Sequence, residues 1–128
     1  MAVTHSTAFR NTTADSHTTA LGSNPRLVFR LAGTVGAPGA AAATLVMAAT
    51  PFAAAASGVA TANAIASDTN AVGNATAVAN ATLQTSVAVV VSHCAVAASG
   101  SDINMTGGLV IGAGDTVSCS SLTYTAMP

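Results

Sequence analysis

The spacing of apolar and polar positions along this chain changes character once, near residue 25. Between residues 6 and 22, Phe9, Thr13, His17, Ala20 and Leu21 recur at the three-to-four spacing of a helix face. Ser6 or Thr7 can cap the start of that helix, and Gly22 suits its end. The interior threonines pull against the prediction, because β-branched side chains favour strands. Asn24-Pro25 then breaks the chain. From Arg26 onward the period is two: Leu27, Phe29 and Leu31 alternate with Arg26, Val28 and Arg30, the pattern of a half-buried strand.

Alternation recurs over 44–49, 59–65, 75–84, 87–96, 103–106, 109–111 and 116–125, each predicted as a strand. A loop over 33–43 and turns rich in Gly, Ser, Asp and Asn separate them. The run from Val87 to Val96 is the most continuously apolar and is predicted at the sheet centre. Cys119 and Leu122 sit on opposite parities, which predicts a β-bulge near Ser120-Ser121. The alanine blocks between 40 and 66 could form helix, but Asn, Thr, Gly and Pro at alternating positions favour strands. Short strands with turn signals every 8–12 residues or so indicate an all-β fold. We expect an antiparallel β-sandwich or small barrel of about seven strands with a short N-terminal helix. The domain division expected is an arm and helix over 1–25 and a β-sandwich over 26–128.

Composition changes this picture in one direction. The chain has no lysine, glutamate or tryptophan, and charged residues make up 5% of its 128 positions, against about a quarter in an ordinary soluble domain. Alanine is the commonest residue. A buried methyl group contributes about 0.8 kcal/mol, against 1.5–3 for a whole Leu or Phe side chain. A core of small residues is therefore thin, and association is expected to supply part of the stability. The three arginines form no basic cluster and the net charge is −1, which argues against nucleic acid as a partner. Mean hydropathy is +0.60, yet the most apolar stretch, 37–66, is interrupted by Pro38, Gly39, Pro51 and Gly58. No membrane span is expected there, and no export signal is visible at Met1–Thr7.

Candidate chemistry is sparse. His5, His17 and His93 lack a Gly-x-Ser-x-Gly elbow or an orienting carboxylate nearby in sequence. His93 and Cys94 are neighbours, so on a strand they face opposite ways. His5 and His17 are expected at the surface or an interface. Cys94 and Cys119 are expected inside strands as small buried apolar groups, with a disulfide between neighbouring strands as the alternative. Asp68, Asp102 and Asp115 fall at turns, where Asp bonds its own backbone. The glycines at 107, 108, 112 and 114 lack the spacing and flanking elements of a nucleotide loop. Thr76, Val78, Asn80 and Thr82 share a strand face that is weakly reminiscent of an ice-binding array. No enzyme activity, cofactor or metal site is expected.

The ends of the chain carry a resemblance. Met1 to Ala8 leads into a short helix, then Gly22-Ser23-Asn24-Pro25 and the strand from Arg26. The close runs Gly100-Ser101-Asp102-Ile103-Asn104-Met105, then Ile111-Gly112-Ala113-Gly114-Asp115-Thr116-Val117 and Ser121-Leu122-Thr123-Tyr124-Thr125. This layout resembles small tailed-bacteriophage proteins encoded with virion structural genes, and the middle, from Pro51 to Ala60, is similar too. The small residues at 77–81 depart from it. The resemblance implies a β-sandwich virion protein, first of all a capsid decoration (cement) protein on the exterior of the assembled head, made in the host cytoplasm. Its partners would be the major capsid protein and itself, as a trimer or other homo-oligomer. Alternatives are a tail, neck or fibre component and, in another class, a secreted Ala/Thr-rich adhesion module. The candidate capsid contacts are Phe9, Arg10, His17, Arg26, Arg30, Val35 and Pro38, from the stretches expected to pack least within the chain.

Overall fold

The structure is a computed structural model and describes residues 3–128. It is mostly β, with one helix at the N-terminal end. That helix, α1, spans Thr7–Leu21, with Ser6 as N-cap accepting from the Phe9 N–H and Gly22 as C-cap at φ 72°. Its threonines and serine fit because their hydroxyls turn back onto the preceding turn: Thr12 donates to the Ala8 carbonyl, Thr13 to Phe9, Ser16 to Thr12 and Thr19 to Asp15. The buried face is Ala14, His17 and Leu21, whereas Phe9 and Ala20 lie exposed. The helix is thus rotated from the expected face.

Seven strands follow: β1 Arg26–Arg30, β2 Ala41–Val46, β3 Val59–Thr61, β4 Asn80–Gln84, β5 Val90–Ala97, β6 Ile103–Asn104 and β7 Thr123–Thr125. Five form a sheet in the order β2-β1-β4-β5-β6, and β3 pairs with β7 apart from it. All pairings are antiparallel except β5 with β6, which is parallel. In register, Leu27 stands between Leu45 and Leu83, and Phe29 between Ala43 and Ala81. That row is one floor of the core, which α1, Phe52, Met47, Ile111 and Leu122 complete.

Several expectations change. Ala41–Ala43 belong to β2, so the loop is shorter than 33–43, and Gly33 bridges Pro38 across it. Residues 109–111 and most of 116–125 are irregular rather than stranded; Val117 forms an isolated bridge with Asp68, which itself lies between strands. The expected bulge at Ser120-Ser121 therefore lies outside any paired strand. Bulges occur instead between Phe29 and Arg30 and between Leu83 and Gln84. The strand expected at the centre, β5, is paired along its length only to β4 and meets β6 at two residues. The centre is held by β1 and β4.

β4 holds its place because both its faces are covered. Ala81 and Leu83 join the core, while Asn80, Thr82 and Gln84 are buried on the opposite face. Arg30 lies across that second face. Its Nε donates to Thr82 Oγ1 at 2.9 Å, Nη1 to the Gly39 carbonyl at 2.7 Å and Nη2 to Gln84 Oε1 at 2.6 Å. Thr82 is consequently sealed from solvent, and Thr76 is outside the strand altogether. The two cannot share a water-ordering face.

Candidate functional site

Three places bring polar side chains together: the joint around His17, the turn carboxylates, and an open groove over the core floor. His17 is fixed by the helix face it shares with Ala14 and Leu21, and it is 9% exposed. Its ring stacks on Tyr124 of β7 at 3.9 Å and 5°, and meets the Phe52 ring edge-on at 5.8 Å. Its Nε2 lies 3.0 Å from Ser92 Oγ on β5. One side chain thus ties α1 to both sheets. The sequence places His17 at the surface or an interface; ring stacking and Ser92 instead draw it inward, into the joint between helix and sheets.

A histidine beside a serine invites a nucleophile–base interpretation, and the geometry opposes it. His17 Nδ1 is buried without a partner. An orphaned N–H costs more than an orphaned lone pair, so the proton belongs on Nε2. Nε2 then donates to Ser92 and has no lone pair to take the hydroxyl proton. Burial lowers the His17 pKa further, favouring the neutral ring.

All four aspartates are engaged with backbone N–H groups. Asp15 accepts from Ala55, Asp68 from Thr44 and Asn70, Asp102 from Ala95 and Asp115 from Gly112. The local turn bond expected of these residues is seen at Asp115 and, through Asn70, at Asp68; Asp102 instead holds the β5 edge at Ala95, and Asp68 also reaches β2 at Thr44. Among the described residues, no group of three or more His, Cys, Asp or Glu is placed to hold a metal ion.

The groove has a volume of about 510 Å³, with Phe29, Ile103 and Ile111 in its lining and Asp102, Asp115 and Cys119 among its polar groups. Cys119 is outside the strands, contrary to expectation. Both cysteines are free thiols. Burial, with Asp102 nearby, pushes Cys94 up to about 11, and burial raises Cys119 as well. Neither thiol offers much thiolate near neutral pH, so neither is a prepared nucleophile.

The expected contact residues divide into two sets. Phe9 is exposed, its ring tilted against His5 at 4.9 Å, and Val35 and Pro38 are exposed on the short loop. Arg10 instead donates to the Ala126 carbonyl at 3.4 Å, Arg26 is half-buried in β1, and Arg30 is held as described. Sequence reasoning missed Ser92, Phe52 and Tyr124 around His17, since nothing in their spacing links them. It also missed Gln84 as the partner of Arg30, although Asn80, Thr82 and Gln84 alternating within an apolar strand is the signal for a buried polar face. No helix of the described residues is long and apolar enough to cross a membrane. No family model matches the chain, and neither the search of curated proteins nor that of solved structures found a similar protein.

Proposed function

We propose that this chain is a non-enzymatic structural protein that docks on other protein subunits, and more specifically a cement protein that binds the outside of an assembled bacteriophage head. One observation supports the docking role most directly. The four carboxylates, together with Arg10 and Arg30, are engaged in hydrogen bonds within the chain, while Phe9, Val35, Val72 and Val110 stand exposed. With three arginines and four aspartates in 128 residues, a partner that covers these apolar residues strips water from little charge. The phage assignment rests on the resemblance of the chain ends, and in it β3, β7 and α1 form the second layer of a β-sandwich.

In this proposal the major capsid protein is the partner, with Phe9, Val35 and Pro38 at the contact. Arg10, His17 and Arg30 leave that role, because they serve the chain's own packing. Many weak contacts over a lattice add through avidity. The test is cosedimentation of the purified protein with assembled heads that lack it. Saturable binding at hundreds of copies per head is expected, with loss of at least tenfold in affinity for Phe9→Asp or Val35→Asp. Failure to bind heads overturns the cement role, and a handful of copies would place the protein at the neck or tail instead.

A further inference from the structure

The two long sides of the five-stranded sheet are finished differently. Outside β2, the chain returns to cover the edge: the Ala66 N–H donates to the Val46 carbonyl, the Gly73 N–H to the Ala42 carbonyl, and Asp68 accepts from the Thr44 N–H. Outside β5, cover by the described residues begins only at Ala95, whose N–H donates to Asp102 Oδ2 at 2.8 Å, and continues where the Met105 N–H donates to the Ala97 carbonyl. Those two bonds fix the parity of the strand. Ala95 and Ala97 direct their backbone groups away from β4, so His93, two residues earlier, does the same. His93 is exposed.

An open strand edge is a template for another strand, and proteins usually blunt it with Lys, Pro or an inward charge. None is present here. From Thr69 to Ser101 the sequence contains no Asp, Glu, Lys, Arg or Pro. The edge also continues into exposed apolar residues, with Val87 80% and Val89 59% exposed at the turn that precedes β5. The occupant must be an uncharged strand with unpaired backbone groups of its own. A second copy of this chain offers that edge, and an antiparallel pair about a two-fold axis is self-complementary. Within the free stretch neither copy carries an Asp, Glu, Lys or Arg to repel the other; the Asp102 carboxylate, bonded at Ala95, marks its end. A stable interface buries upwards of about 1,200 Å², more than the short free stretch before Ala95 supplies, so Val87 and Val89 belong to the contact.

We propose that β5 is a self-association edge, through which two copies of this chain pair antiparallel and join their sheets. The proposal stands apart from head binding, since it concerns the free protein. Sedimentation equilibrium is the test. The mass is expected to rise from 12.2 kDa toward twice that value as the concentration approaches millimolar. His93→Pro removes one outward N–H without breaking a bond to β4 and should weaken association at least tenfold, while circular dichroism and melting temperature show the fold retained. Val89→Lys, which puts like charge on both copies, should do the same without touching the strand backbone. His93→Ala, which keeps the N–H, should pair as the parent does. A parent that stays at 12.2 kDa throughout overturns the proposal, as does undiminished pairing by both the proline and lysine variants.

Discussion

His17 and Cys94 are the side chains whose burial has the clearest measurable consequence. Burial lowers the His17 pKa below its ordinary 6.5, so the unfolded chain binds the proton more readily than the folded one. Stability from this residue is complete above about pH 6.5 and is lost as pH falls through the lowered folded value. Chemical denaturation of the parent should show a falling free energy below that point, and His17→Phe should lose that part of the slope. Cys94, pushed up to about 11 from 9.0, makes the complementary case. At pH 8 its thiolate fraction is on the order of 100-fold below that of a thiol at the ordinary value. Iodoacetamide should modify Cys94 correspondingly slowly in the native state and at the ordinary rate in urea. The local bonds of Asp68 to Asn70 and Asp115 to Gly112 were legible in sequence because short carboxylates act on nearby backbone, whereas the reach of Asp102 to β5 and of Asp68 to β2 was not. The place of His17 was not, because stacking on Tyr124 joins residues far apart in the chain.

At the scale of elements, close approach decides what the turns tolerate. Gly73 has φ +66°, and a Cβ there would collide with the backbone of Gly112 and Ala113. Gly107 has open space around it and an ordinary φ. Gly73→Ala should therefore cost about 2–4 kcal/mol of stability, the range for backbone strain with a steric clash, and Gly107→Ala should stay within about 0.5 kcal/mol. Urea titration of the two variants beside the parent checks the contrast. Helix α1 and strand β1 were legible because each combines a strong period with its own punctuation, Ser6 and Gly22 for the helix and Pro25 for the strand. The 116–125 stretch was misjudged for the converse reason. Its alternation is strand-like, but only Thr123–Thr125 pairs in a continuous ladder, with β3, while Val117 meets Asp68 in a single bridge, and a lone bridge is not a strand.

Over the whole molecule, the scarcity of charge governs behaviour in solution. Three arginines and four aspartates, of which Arg10, Arg30 and the aspartates bond to uncharged partners, leave little for salt to screen. The melting temperature is expected to move by less than about 2 °C between 20 mM and 0.5 M sodium chloride, read by calorimetry at one protein concentration. A larger fall at high salt would mean that long-range charge attraction holds the fold, against the hydrogen-bond partners of Arg10 and Arg30. The core agrees with composition: beside Phe29, Phe52, Leu27, Leu45 and Met47 it contains Ala14, Ala42, Ala43, Ala60, Ala71, Ala81 and Ala126. Small side chains bring backbones close, which is why glycines such as Gly33, Gly39 and Gly73 pack directly on neighbouring main chain.

By itself the sequence determined the mostly β character, the single N-terminal helix, the turn bond of Asp115 and the poverty of charge. Each is a local property, set by period, capping chemistry or residue count. Only tertiary structure decided that β4 rather than β5 lies near the centre, that Arg30 roofs Thr82 and Gln84, and that His17 joins the helix to both sheets. Those outcomes depend on which strand pairs with which. Apolar run length favours a central place for Val87–Val96, but the polar alternation of Asn80, Thr82 and Gln84 is what lets Arg30 close the second face of β4. With that face closed and β2 covered by the chain's return, β5 remains the open side.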